Sequence, residues 1–362
     1  MVKNLKPIHL NMKNFSFTTI TSIVLLTFLF VSLQGQDKHE IGRFRKAECP
    51  FPLPEGVIQG ENFKFGYVSV PELHSSPEGK SIELAVAIFP STSENHEPDP
   101  LVMNTSGPGK SNMDNFIPQI AGGLGAYILP QREIVIIELR GLRYSKPFLA
   151  LDEVREAKFS IMDKNLSPAE TMAVLKKALK ASKERLEGEG VNLSAYNSVE
   201  TAADTAMIME KLGYDTYNMV GSSEGTMVAH HVIRDYPDRV RCGILDAGLP
   251  LDPSIMYSYV PSIVNCLKNY FEECRNTPDC NAAFPNLEER FLNLLESLNQ
   301  NPLMLDLKDP LSGKEFRYAL NGYRLAENVF LQMFYSTQIP LLISQLVNGE
   351  YSTIINQLNY TM

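Results

Sequence analysis

Histidine runs out early in this chain. Six occur in 362 residues, at His9, His39, His74, His96, His230 and His231, and none follows position 231. Chemistry that needs an imidazole later in the sequence is therefore excluded from the residues present. Cysteine is sparse too: the five are Cys49, Cys242, Cys266, Cys274 and Cys280. They form no CxxC and no zinc-like Cys/His spacing, so no metal and no cofactor is expected. An odd number leaves at least one thiol free. Cys274 and Cys280 bracket a short turn and can close a small loop. Cys242 lies in the apolar run Arg241-Cys242-Gly243-Ile244-Leu245 and is expected to be a buried thiol.

Positive charge is in deficit as well. Against 42 Asp and Glu stand 33 Lys and Arg, a net charge of −9. That balance argues against nucleic acid or an anionic membrane as a partner. The apolar run from Ile20 to Leu33, about 14 residues, falls short of the roughly 20 that a membrane span needs. It follows Lys3, Lys6 and Lys13, and this basic-then-apolar order reads as a signal peptide over residues 1–35, cleaved near Gly35. Met12 is an alternative start, and an uncleaved N-terminal anchor is the alternative fate. The expected location is secreted or periplasmic, where disulfides form. No internal repeat or low-complexity tract occurs.

What is present is the composition of a globular protein, 44% hydrophobic and 21% charged. Residues 63–70 and 81–89 read as an antiparallel hairpin. Leu101-Val102-Met103, Ile134-Val135-Ile136-Ile137, Tyr217-Asn218-Met219-Val220 and Arg241 to Leu245 are short apolar strands, the pattern of a parallel sheet covered on both faces. Helices alternate with them. Ser167-Pro168-Ala169-Glu170 is a capping box opening a helix to about Leu186. A second helix runs from near Ser198 to Leu212 and stops at Gly213. This β-α-β-α order predicts a doubly wound, mostly parallel sheet over residues 36–250. From residue 251 onward strands disappear from the pattern, and amphipathic stretches such as Leu287 to Leu298 and Tyr323 to Tyr335 predict a helical cap over 251–362.

The chemistry concentrates at Gly221-Ser222-Ser223-Glu224-Gly225, which fits G-x-S-x-G between a strand and a helix. That context is what a nucleophile elbow of the α/β-hydrolase fold requires. Gly221 and Gly225 leave room for a sharp turn, and Ser223 stands out above the sheet as the nucleophile. Ser222 is the weaker candidate because only Ser223 lies between the glycines. An acyl-transfer site also needs an oxyanion hole and a base. The backbone N–H groups of Glu224 and of Gly107, in Ser106-Gly107-Pro108-Gly109, are the expected oxyanion donors. The base is the gap. His230 and His231 lie seven and eight positions beyond Ser223 on the same helix, about 10 Å along its axis, whereas a base must come within roughly 3 Å. Asp246 and Asp252 follow the last core strand, but no imidazole is there for them to orient.

These motifs, taken in order from about residue 49 onward, resemble α/β-hydrolase exopeptidases of the tripeptidyl and prolyl aminopeptidase type. The similar stretches are Phe65-Gly66-Tyr67 with Val70-Pro71-Glu72, Gly107-Pro108-Gly109-Lys110-Ser111, Arg140-Gly141 with Ser145, the elbow itself, Tyr236-Pro237-Asp238-Arg239-Val240, and Cys280-Asn281-Ala282-Ala283-Phe284-Pro285. The resemblance implies Ser223 as nucleophile and a cap disulfide between Cys274 and Cys280. The chain departs from the pattern at Ser106, Arg143 and Glu224, where the family carries Gly, Gly and Tyr, and at Phe65, where it carries Cys. Family members continue past the cap to strands that supply Asp and His, and this sequence ends inside the cap. It is therefore expected to be either a fragment of an enzyme active when whole or a short, non-catalytic form that keeps the binding surface; the abrupt end favours the first.

The resulting expectation is an exported serine hydrolase removing short N-terminal units from peptides through an acyl-enzyme on Ser223, with peptide as its partner. An esterase acting on small esters is the alternative, since an elbow does not distinguish ester from amide. The Glu224 carboxylate is placed either to attract a substrate's free α-amine or simply to favour a helix N-terminus.

Overall fold

The computed structural model describes residues 40–104, 107, 109–252, 254–309, 313–334 and 336–361. The expected signal segment, and Ser106 and Pro108 of the oxyanion loop, lie outside the described residues.

Seven strands form the central sheet: β1 (Phe44–Lys46), β2 (Lys64–Pro71), β3 (Ser81–Phe89), β4 (Leu101–Asn104), β5 (Ile134–Ile137), β6 (Tyr217–Ser222) and β7 (Val240–Asp246). Their spatial order is β1-β2-β3-β5-β4-β6-β7. The first three and the β3–β5 contact are antiparallel, while β5, β4, β6 and β7 run parallel. The hairpin has two buried faces because its residues alternate. Val68 and Val70 of β2, with Ile82, Leu84, Val86 and Ile88 of β3, join one core cluster. Phe65, Tyr67, Ala85, Ala87 and Phe89 join the other. That is the period-2 geometry of a strand applied to two neighbours in register.

Helices close both faces. On one side lies α1 (Asn112–Gln119), which buries Met113, Phe116 and Ile117. After α2 (Asp152–Ser160) comes α3 (Pro168–Gly188), whose capping box is complete: Ser167 Oγ accepts from Glu170 N–H while the Glu170 carboxylate accepts from Ser167 N–H. The other face is covered by α4 (Ser198–Lys211) and α5 (Glu224–Asp235), through Ala202, Ile208, Met209, Val228, Ala229 and Val232.

A second core lies downstream. It gathers α6 (Ile255–Asn276), α7 (Pro278–Ala283), α8 (Leu287–Gln300), α9 (Gly322–Gln332), α10 (Ile339–Val347) and α11 (Ser352–Thr361) around Phe291, Leu320, Leu325, Ile339, Ile343 and Ile354. A disulfide joins Cys274 at the end of α6 to Cys280 in α7. The expectation of an all-helical segment is corrected here. β8 (Leu303–Lys308) and β9 (Glu315–Leu320) pair as an antiparallel hairpin. Leu305 and Leu307 enter the core while Met304, Asp306 and Lys308 are exposed, a period-2 pattern too brief to stand out between long helices. Arg324 ties this unit to the turn after α2, donating to the carbonyls of Met162 at 2.6 Å and Ile161 at 2.8 Å.

The second correction concerns Cys242, which is exposed rather than buried. Its strand, β7, is the sheet's outer strand, and every residue from Arg241 to Asp246 is exposed. Ile244 is 53% and Leu245 40% exposed, and on α6 Tyr257 and Val260 are 86% and 64% exposed. An uncovered apolar edge strand is a template for pairing with another chain. The chain is expected to self-associate as its concentration rises, and Ile244→Lys to suppress this without lowering Tm by more than a few degrees. Light scattering over a concentration series checks it; a monodisperse wild-type chain at high concentration contradicts it.

Candidate active site

The turn between β6 and α5 is where backbone conformation departs most from the ordinary. Ser223 has φ 53° and ψ −119°, a region that non-glycine residues rarely enter, at a cost of about 1–3 kcal/mol. Close packing enforces it. A Cβ on Gly221 would overlap the carbonyl of Gly225 and stand 2.9 Å from Thr226 Cα. The turn is then pinned by hydrogen bonds. Ser223 N–H donates to Asp246 O at 2.9 Å, and Thr226 N–H and Oγ1 both reach Ser223 O, at 3.0 and 2.6 Å. Thr226 Oγ1 in turn accepts Leu249 N–H at 2.8 Å. The strand opposite carries a matching irregularity: Ala247, directly after β7, also has positive φ, 51°. Sequence reasoning missed Ala247 and the Asp246 carbonyl, because neither a backbone acceptor nor a strained alanine has a residue-type signature.

The loop that follows β4 is brought to the same place. β4 and β6 are neighbours in parallel register, Asn104 opposite Gly221. The Glu224 side chain lies against Gly107, so closely that a Cβ there would overlap Glu224 Oε2. Glu224 is half-buried, and burial without a compensating partner raises its carboxyl above the ordinary range. Ser222 faces sideways, its Oγ donating to Asp246 Oδ2 at 3.2 Å.

Among the described residues, no histidine meets this turn. His74 belongs to a buried ion cluster: its Nε2 lies 2.8 Å from Asp204 Oδ1, and its N–H donates to Glu200. Arg140 grips the same Asp204 with two bonds of 2.7 Å and donates to the carbonyls of Glu72 and Ala195. β2, which leads to His74, stands four strands from β6, roughly 19 Å across the sheet. His96 is exposed ahead of β4, its Nδ1 2.8 Å from the Glu97 carbonyl. His230 and His231 lie in the second half of α5. His231 has a buried Nδ1 without a partner, and burial lowers its pKa. Among the described residues, no group of His, Cys, Asp or Glu is arranged to hold a metal ion.

A family model described as alpha/beta hydrolase fold matches residues 99–344. The chain belongs to the α/β-hydrolase family. It is similar to serine protease Hip1 of Mycobacterium tuberculosis, 25% identical over 250 residues, or 65% of this chain and 45% of the relative. Tripeptidyl aminopeptidase of Streptomyces lividans is 29% identical over 186 residues, or 50% of this chain and 34% of the relative. The chain thus matches less than half the length of either relative. Among solved structures, epoxide hydrolase VrEH1 from Vigna radiata is 12% identical, covering 54% of this chain and 45% of its own, with a TM-score of 0.31.

In this α/β-hydrolase the loop after β4 is anchored by a residue that opens the Arg140-Gly141 motif and to which the motif reading gave no role. Glu138, next after β5, is wholly buried. Its Oε2 accepts Ser111 Oγ–H at 3.0 Å and Met113 N–H at 3.1 Å, so it clamps the start of α1. Asn112 adds a second clamp, donating to Ile137 O at 2.6 Å. Glu138 Oε1 has no partner. Burial pushes this carboxyl up to about 7, with Asp114 adding to the rise and the two donors only partly opposing it. Beside the clamp opens a cleft of about 420 Å³ lined by Gly109, Lys110, Ser111, Asp114, Asn115, Leu142, Arg143 and Phe148. Arg143, where the similar family has glycine, is tied to Asp114 at 3.1 Å.

A carboxyl whose folded pKa exceeds its unfolded value stabilises the fold at low pH and loses that contribution as pH rises through the folded value. For Glu138 the window runs from the ordinary carboxylate range to about 7, worth roughly 3 kcal/mol. Between about pH 4 and 8 the wild type is expected to lose that amount relative to Glu138→Gln. Urea unfolding at a series of pH values checks it; a difference that does not change with pH excludes it.

Proposed function

We propose that this chain is a serine hydrolase of the exported aminopeptidase kind, with Ser223 as nucleophile. The observation that carries the reading is the left-handed Ser223 turn between β6 and α5, with the Gly107 loop packed against the next residue. In the proposed step, Ser223 Oγ attacks a carbonyl carbon, and the backbone N–H groups of Glu224 and Gly107 receive the developing oxyanion. The C–N bond breaks, the amine leaves carrying the proton lost by the serine hydroxyl, and water then hydrolyses the acyl-enzyme to acid and free Ser223. The peptide substrate is argued from the names of the two relatives, a serine protease and a tripeptidyl aminopeptidase. Export is argued from the signal-like N-terminal sequence and the Cys274–Cys280 disulfide, which belongs to oxidising compartments. Among the described residues no helix is long and apolar enough to cross a membrane.

The base is assigned to no residue of this chain. A serine hydrolase deprived of its histidine loses on the order of 10⁶ in kcat, and oxyanion and binding terms alone retain about 10³–10⁴ over water. A second reading, a peptide-binding form without turnover, is motivated by the placement of the described histidines His74, His96, His230 and His231 away from Ser223. One experiment separates them. The purified chain is treated with a fluorophosphonate probe beside Ser223→Ala, then offered peptide anilides with free and acetylated N-termini and a small ester. The enzyme reading expects slow, Ser223-dependent labelling and preference for the free N-terminus. Preference for the ester moves the assignment to esterase. Folded, monodisperse protein that takes no label excludes the enzyme reading for this chain.

A further inference from the structure

The Glu224 side chain has no place in the mechanism above, yet it occupies the most sensitive position in it. Its own N–H is one proposed oxyanion donor, and its carboxyl rests on Gly107, the source of the other. An ionised carboxylate against Gly107 would adjoin the negative charge that the proposed step develops. At such a separation, outside bulk water, like charges oppose each other strongly. The acid form carries no charge and adds one O–H donor. We propose that the Glu224 carboxyl is part of the oxyanion site and that only its acid form admits an anion there. The proposal rests on the serine-hydrolase reading and makes Glu224 a catalytic residue with a stated protonation state.

Three observations support it beyond the contact itself. Glu224 is half-buried, and burial raises its carboxyl. The two cations that line the cleft beside the loop are occupied or outside: Arg143 is tied to Asp114, and Lys110 is exposed. The partial positive charge at the start of α5 favours the ionised form, and ionisation is therefore accessible as pH rises. The site is then open at acid pH and closes as Glu224 loses its proton.

Glu224→Gln keeps the shape and an amide donor while removing the charge, and its melting curve shows whether the fold survives. Fluorophosphonate labelling rates are measured for wild type and variant from pH 5 to 8. In that reaction the Ser223 Oγ–P bond forms, the P–F bond breaks, fluoride leaves and the hydroxyl proton passes to solvent. The variant-to-wild-type rate ratio is expected to rise with pH, reaching about tenfold or more once Glu224 is ionised. A flat ratio overturns the proposal. A variant slower than wild type at pH 8 also overturns it and assigns the carboxylate to a cation instead. If neither chain labels, the nucleophile reading fails. Glu224 is then decided in a Ser223→Ala background by titrating butane-1-sulfonate, whose charge is fixed over this range. Tighter sulfonate binding by Glu224→Gln at pH 8 but not at pH 5 sustains the proposal; a pH-independent ratio, or no binding by either chain, ends it.

Discussion

The candidate site depends on how closely the end of β6 approaches the start of α5. Gly221 admits the Gly225 carbonyl and Thr226 Cα into space that any side chain would fill. Once the two backbones are that close, the single residue between them has no extended or helical solution, and Ser223 takes φ 53°. The strain is held by what surrounds it. Met219 on the strand and Val228, Ala229 and Val232 on the helix are fully or almost fully buried in one cluster. That packing fixes the crossing of strand and helix before the turn is considered. A strained residue persists when its surroundings over-determine it, and here the surroundings are the core itself.

Among the described residues, two carboxyl groups hold the loop beside this turn. Glu138 holds the downstream end of the β4 loop and Glu224 lies on its glycine. Burial dominates the titration of both. The buried cation Arg140 is committed elsewhere, to Asp204 and the backbone carbonyls of Pro71, Glu72 and Ala195. Support for an anion at Ser223 therefore falls to backbone N–H groups, which carry no net charge and cannot be titrated away. The protonation of neighbouring carboxyls then sets the local field.

Much of this was legible in the sequence because the relevant signals are local. The capping box at Ser167 and Glu170, the alternation along β2 and β3, and the spacing of Gly221, Ser223 and Gly225 each follow from a few consecutive residues. The β8–β9 hairpin was missed because its alternation covers only six residues per strand beside long amphipathic helices. Cys242 was misplaced because an apolar strand reads the same at a sheet's centre and at its edge; exposure depends on the neighbouring strand, not on the strand's own residues. The Glu138 clamp and the His74–Asp204–Arg140 cluster join residues 25 to 130 positions apart. No window of sequence contains both partners.

The hydrogen bond from Ser223 N–H to Asp246 O, with that from Leu249 N–H to Thr226 Oγ1, has a consequence for the order of synthesis. Chain growth delivers the serine first and its restraints some 23 to 26 residues later. While β7 is still inside the ribosome, the G-x-S-x-G segment has β4 beside it but neither β7 nor the loop that caps its helix. Its serine then lacks the carbonyl that holds its N–H. The nucleophile turn is thus assembled from the C-terminal side of its own motif, and a nascent chain that displays the motif does not yet display the site.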